Sequence, residues 1–366
     1  MSEYWNKRVT NLSPYVPGEQ PKDREFIKLN TNENPYPPSP KVIEAIQKAA
    51  GEGLRLYPDP ACTEFRAAVA ARFGVKIEHV FAGNGSDEIL AFAFGAFFES
   101  QGSQNVQEIF FPDITYSFYP VYANLWDIPY RAIPLTSDFS INISDYKCSC
   151  GGVIIPNPNA PTGIGLPLDD VLSLAEYLEK QKKVFVVDEA YIAFGGHSAI
   201  PHIESHSNLL IVHTLSKSAS LAGLRAGFAI GSEELIEGLR RMRDSFNSYT
   251  LDRLALAGAA AAIADTAYYD AINRRIIATR ERVTETLENM GCTILPSAAN
   301  FLFMQAPGTH GVPKIRGADF FNALRERGIL VRHFNKDRIA DFLRVTIGTD
   351  EEMDKFLDEC KKIIKV

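Results

Sequence analysis

Five short, almost purely apolar runs, separated by polar or amphipathic stretches, constrain this chain more than any other feature. They are Glu108–Phe111, Val153–Ile155, Val184–Val187, Leu209–Val212 and Ala226–Ile230, all between about Gly83 and Gly231. Continuous Val, Ile, Leu and Phe over so few residues fits strands buried on both faces. Helical stretches between them, such as Leu168–Lys180, fit crossover connections. The expected class is therefore α/β, a three-layer domain with a mostly parallel central sheet. Ligands of such sheets bind beyond the carboxyl ends of the strands, so the residues after each run are the first candidates for function.

Outside this region the pattern differs. Residues from Ser13 to Pro40 are rich in Pro, Asn and Tyr and read as an extended arm. Helical periodicity appears at Lys41–Ala50, at Thr63–Phe73 and in long stretches across Leu251–Met290. Apolar runs at Asn300–Met304, Gly328–Val331 and Phe342–Ile347 then precede a closing helix from Asp350. The expected division is a large domain over 45–245, with 1–44 and 246–366 forming the arm and a smaller α+β domain.

With 366 residues the chain can bury a large core, and a net charge of −7 without a basic cluster speaks against nucleic acid as a partner. The richest apolar run, Ile89–Phe98, is too short for a membrane span, and the N-terminus lacks the apolar stretch of a signal peptide. Five cysteines at 62, 148, 150, 292 and 360 show no metal-ligand spacing, so no metal is expected and a reduced, cytoplasmic setting is the default.

The residues beyond the runs carry chemistry. After Leu209–Val212 comes His213-Thr214-Leu215-Ser216-Lys217-Ser218, then Leu221-Ala222-Gly223-Leu224-Arg225. A partly desolvated lysine amine has a lowered pKa and attacks aldehydes. Thr214, Ser216 and Arg225 could together hold a phosphate. Asp188-Glu189-Ala190-Tyr191 follows Val184–Val187, and a carboxylate at a buried strand end needs a cationic or hydrogen-bonding partner; a helix cap would also explain it. Gly83-Asn84-Gly85-Ser86-Asp87 leads into a helix whose free N–H groups favour a phosphate, although an ordinary cap fits equally. Tyr116 offers a ring for stacking, or simply a core aromatic.

In order and placement these motifs resemble the fold-type I pyridoxal-phosphate aminotransferases over nearly the whole length, and among them the histidinol-phosphate aminotransferases. That resemblance implies that Lys217 carries pyridoxal 5'-phosphate as a Schiff base, with Ser216 and Arg225 on its phosphate and Gly85, Ser86 and Asp87 supplying further contacts there. It implies Asp188 opposite the ring nitrogen, Tyr191 on the phenolic oxygen and Tyr116 stacked on the ring. Tyr57, in Arg55-Leu56-Tyr57-Pro58, is expected to reach the phosphate of a neighbouring subunit's site, which implies a homodimer with shared active sites. The family's usual Asn-Pro-Thr-Gly reads Ala160-Pro161-Thr162-Gly163 here, and Asn157 or Asn159 is expected to take over the contact of the missing asparagine, Asn157 at the strand end being the first choice.

The resemblance extends to substrate. Tyr15 and Asn32 lie in arm segments similar to those that touch substrate in the family, and Arg332 and Arg344 match its two arginines near the C-terminus. Two guanidiniums can fork onto a phosphate or clamp a carboxylate. The implied reaction moves an amino group from glutamate to imidazole-acetol phosphate, giving 2-oxoglutarate and L-histidinol phosphate, a step of histidine biosynthesis. An aromatic or other amino-acid aminotransferase and a threonine-phosphate decarboxylase share the cofactor constellation and remain alternatives. A cofactor-binding regulator is disfavoured, because such regulators carry a DNA-binding segment that has no room before the arm.

Overall fold

The computed structural model describes all residues except 1–2, 16–17, 21–23, 310–311 and 366. Its centre is a seven-stranded sheet in the order Val80–Gly83, Gly227–Ile230, Leu209–Thr214, Phe185–Asp188, Gly152–Pro156, Ile109–Pro112 and Tyr130–Ile133. Gly227–Ile230 runs against both its neighbours; every other pair is parallel. All five apolar runs are strands of this sheet. Two further strands, Val80–Gly83 and Tyr130–Ile133, were not expected as such. The first is only four residues long and ends in a glycine. The second is an edge strand whose middle residues Arg131 and Ala132 are exposed, so it carries no apolar run.

Strict alternation along the strands builds two cores. Val153, Ile155, Phe185, Val187, Leu209 and Ile211 face one way, against helices Thr63–Phe73, Leu168–Glu179 and Arg253–Ala264. Ile154, Val186, Leu210 and Val212 face the other way, against helices Gly85–Phe97 and Glu233–Phe246. Both layers are covered, which is why the strands are apolar at every position.

A third cluster gathers around an antiparallel sheet in the order Arg332–His333, Phe342–Thr346, Phe301–Gln305 and Thr293–Ile294, packed on helices Gly317–Glu326 and Asp350–Ile364. The long helix Thr266–Asn289 joins the halves: Tyr269 near its start packs in the larger core, while Ile276, Val283 and Leu287 pack in this one. The expected division after residue 245 does not follow the packing. Val42 and Ala255, Ala259 and Ala262 are buried in the same core as the large sheet, so Pro40–Ala49 and Arg253–Ala264 pack with that sheet. The small apolar surface of an alanine-rich helix hides this in the sequence.

The arm is anchored by backbone pairing. Ile27–Lys28 runs parallel to Ile329–Leu330, and Leu29 bridges Leu330 and Thr346 through its own N–H and carbonyl. Thr31, Asn32 and Glu33 are thereby delivered to the carboxyl ends of the large sheet.

Candidate active site

The site continues one face of the sheet by a single step. Along the face that carries Ile154, Val186 and Val212, the next positions are Pro156, Asp188 and Thr214, and all three line a cavity of about 270 Å³. Its other walls include Thr31, Glu33, Ser86, Asp87, Tyr116, Ala160, Tyr191, Ser216, Lys217 and Arg225. The same alternation sends Glu189 and His213 to the opposite face. There the two side chains pair at 2.8 Å beside a separate cavity of about 420 Å³.

Lys217 follows the strand Leu209–Thr214, and its Nζ donates to the Thr31 carbonyl at 3.1 Å. Burial, reinforced by the positive charge of Arg344, pulls its pKa down to about 8. On the floor Asp188 is only 5% exposed. Burial pushes its carboxyl up to about 6, against the hydrogen bonds that favour its charge. Its Oδ2 accepts from Tyr119 Oη at 3.1 Å and its Oδ1 from the Ala190 N–H at 3.2 Å. A depressed amine and an elevated acid around one cavity are the kind of pair that enzymes use for proton transfer.

At one end of the cavity, the helix Gly85–Phe97 starts on Gly85 at φ +74°, and the first N–H groups of an α-helix have no partner within it. Close approach is required here. A Cβ on Gly227 would lie 2.7–2.9 Å from the Gly85–Ser86 backbone and the His213 carbonyl; one on Gly85 would lie 2.8 Å from an Arg225 nitrogen. Arg225 pairs with Asp87 at 2.9 Å, and Thr214 Oγ1 donates to Ser216 Oγ at 2.9 Å. Helix start, guanidinium and two hydroxyls together make an anion cradle.

Tyr116 donates to Asp87 Oδ1 at 2.6 Å, and Tyr191 Oη accepts from Asn32 Nδ2 at 2.9 Å. The Tyr15 ring lies 4.4 Å from that of Phe118, which in turn sits 5.5 Å from Tyr116. Arg332 and Arg344 occupy directly opposed positions on adjacent antiparallel strands. Both guanidiniums lie over the Phe334 ring, at 5.5 and 5.6 Å. Among the described residues neither forms an ion pair, and the buried Arg344 Nε has no hydrogen-bond partner. Like charges opposed across strands are unfavourable unless an anion is shared between them.

Of the expected residues, Gly85, Tyr15, Asn32, Arg332 and Arg344 are not among those lining the cavity, and Asn157 and Tyr57 are engaged elsewhere. Asn157 is buried, and both ends of its carboxamide are taken up by the Leu166 backbone, at 2.8 and 3.2 Å. Asn159 is turned away too, donating to the Ile114 carbonyl and Thr162. The methyl of Ala160 lines the wall instead, so neither asparagine replaces the missing amide. Tyr57 is 79% exposed and stacks on Tyr249 at 4.7 Å, outside the cavity of its own chain. Sequence reasoning passed over Thr31, Glu33 and Tyr119. The arm motif Asn30-Thr31-Asn32-Glu33 signalled the first two, whereas Tyr119 is one of 14 tyrosines and nothing in its local sequence sets it apart.

Comparison with known proteins places the chain in a family. Residues 24–359 match the family model for aminotransferase class I and II, and the chain belongs to that family. Within it, the chain is 54% identical to the histidinol-phosphate aminotransferase of Clostridium acetobutylicum over 100% of both chains. It is 53% identical to histidinol-phosphate aminotransferase 1 of Bordetella parapertussis over 99% of each. At the level of fold, it superposes with a TM-score of 0.85 on the histidinol-phosphate aminotransferase of Sinorhizobium meliloti in complex with pyridoxal-5'-phosphate, at 22% identity over 100% of this chain and 98% of that one. An aspartate aminotransferase mutant from Thermus thermophilus gives 0.82 at 20% identity over 99% and 100%.

Proposed function

We propose that this chain moves an amino group between glutamate and imidazole-acetol phosphate, giving L-histidinol phosphate and 2-oxoglutarate, with pyridoxal 5'-phosphate as cofactor. The observation that carries the choice of substrate is the pair Arg332 and Arg344, two opposed guanidiniums without a carboxylate partner among the described residues. Such a pair suits the phosphate of one substrate and a carboxylate of the other.

The cavity's donors fit the cofactor. The Gly85–Asp87 helix start, Ser216 and Arg225 suit its phosphate, and the close backbone approach that Gly227 permits leaves room for it. When bound, pyridoxal phosphate supplies an aldehyde for amine exchange and a ring that accepts electrons. Asp188 would be the charged partner that holds a proton on the ring nitrogen. Tyr191 Oη, fixed by Asn32, would meet the phenolic oxygen, and the Tyr116 ring would stack on the cofactor. Lys217 Nζ, its pKa pulled down to about 8 by burial, would accept the proton from the substrate α-carbon in its neutral amine form and later give it back. With Ala160 in the wall, Tyr191 would meet the phenolic oxygen without an asparagine amide beside it.

We read the assembly as a homodimer in which Tyr57 enters the partner's site. Its exposure beside exposed Leu54, Leu56, Phe246 and Tyr249 is the patch such contact would cover. No helix among the described residues is long and apolar enough to cross a membrane, and all five cysteines are free, which favours the cytoplasm.

Pairing the enzyme with glutamate and either imidazole-acetol phosphate or phenylpyruvate tests the assignment. A kcat/KM at least about a hundredfold higher for the phosphorylated acceptor is expected, since one charge-assisted fork contributes roughly 3 kcal/mol. A higher value for phenylpyruvate would overturn it, and release of carbon dioxide from threonine phosphate would reassign the chain to a decarboxylase.

A further inference from the structure

Asp188 sits where its carboxylate must stay ionised, yet its surroundings oppose the charge. It is buried, and Asp87 lies on the same side of the sheet. The groups that favour the anion are Tyr119 on the helix Tyr119–Leu125, the Ala190 N–H, and His213 from the neighbouring strand. His213 is engaged with Glu189 on the far face, which leaves Tyr119, among the described residues, as the one side chain that donates a hydrogen bond to Asp188.

Tyr119 suits that task. It is fully buried, with its ring locked between those of Phe94 and Phe111 at 6.3 and 5.9 Å. Burial, with Asp188, Tyr116 and Tyr122 nearby, keeps its hydroxyl protonated far above the ordinary tyrosine range, so it donates at every working pH. It also lies three residues after Tyr116, whose hydroxyl holds Asp87 beside Arg225. One short segment therefore ties both ends of the cavity, the anion cradle through Tyr116 and the acid on the floor through Tyr119.

We propose that Tyr119 is a positioning residue for the aminotransferase reaction: its hydroxyl orients the Asp188 carboxylate and keeps it ionised toward the cofactor's ring nitrogen. The proposal rests on the assignment of Asp188 made above. Tyr119→Phe keeps the ring packing and removes only the donor. Tyr122→Phe is its control, because Tyr122 lies on the same helix, is 5% exposed, and has a buried hydroxyl with no partner.

The measurements are the affinity of the purified protein for pyridoxal phosphate and the pH profile of kcat, for both variants and for Asp188→Asn. Loss of a hydrogen bond to a buried carboxylate is expected to move the acid limb of the profile up by about one pH unit. It should weaken cofactor affinity by about threefold at pH 6.5, and by almost nothing at pH 8.5, where Asp188 is ionised in either case. Tyr122→Phe should change neither. In the Asp188→Asn background, Tyr119→Phe should add no further loss of affinity. An unchanged limb and affinity in Tyr119→Phe, with only a lower melting temperature, would overturn the proposal. If Asp188→Asn itself left affinity intact, the assignment of Asp188 would fall first.

Discussion

Lys217 and Asp188 are opposite cases of one physical problem, a charge held in a place that disfavours it. For Asp188, the folded, cofactor-free protein binds more protons than the unfolded chain between the ordinary value of 3.8 and about 6. Stability therefore falls as pH rises through that window and stays lowered above it. Asp188→Asn should accordingly stabilise the cofactor-free protein at pH 7 by on the order of 2–3 kcal/mol, and by almost nothing at pH 3.5. Denaturant melts at the two pH values check this; equal effects at both would show that the carboxylate is not strained. For Lys217 the window lies between about 8 and 10.5. There the folded protein binds fewer protons than the unfolded chain, so stability should rise with pH, and Lys217→Met should abolish that rise. The proposed function needs Asp188 ionised and Lys217 as its neutral amine, with the cofactor's ring nitrogen as the partner of the acid.

At the scale of elements, the site depends on how closely the strand Gly227–Ile230 meets the helix Gly85–Phe97. Gly227 has backbone atoms of Gly85, Ser86 and His213 within 3 Å of any Cβ it might carry. Those are main-chain atoms, so they cannot swing aside as a side chain could. Gly227→Ala should push the helix start away, costing about 1–3 kcal/mol in stability. Affinity for pyridoxal phosphate should fall at least about tenfold, since each 1.4 kcal/mol of lost contact is a factor of ten. Equilibrium dialysis against the cofactor decides it; a variant that melts early but binds normally would remove the helix start from the phosphate site. By contrast the closing helix Asp350–Ile364, held by a capping box between Thr349 and Glu352, lies away from the cavity. Thr349→Ala should lower stability by about 1 kcal/mol and leave kcat unchanged, as parallel melts and assays would show.

On the scale of the molecule, the arm and both cores of the chain meet at one cavity, and the proposed dimer would add a second subunit to it. If Tyr57 serves the partner's site, Lys217→Ala and Tyr57→Ala place their damage in different halves of a shared site. Refolding the two variants together should restore activity in mixed dimers, where one site has both residues intact and the other lacks both. With random assortment, half of the dimers are mixed, which predicts recovery of about a quarter of the wild-type activity per subunit from a strongly impaired baseline. Simple averaging of the two variants' rates would show that Tyr57 acts within its own chain or not at all.

The sequence alone marked five of the sheet's seven strands, because strands buried on both faces are apolar at nearly every position and declare themselves without any knowledge of their neighbours. It likewise marked Lys217 and Asp188, since polar groups at the ends of such strands are conspicuous. Tyr119 and the orientation of Asn157 were decided only by tertiary structure. An asparagine beside a strand end can serve a ligand or the Leu166 backbone with the same local sequence, and a core tyrosine shows its acceptor only when two distant segments pack. Helix Arg253–Ala264 joined the larger core for the same reason: alanine packs against whatever comes close, and what comes close is fixed by the fold rather than by the alanines.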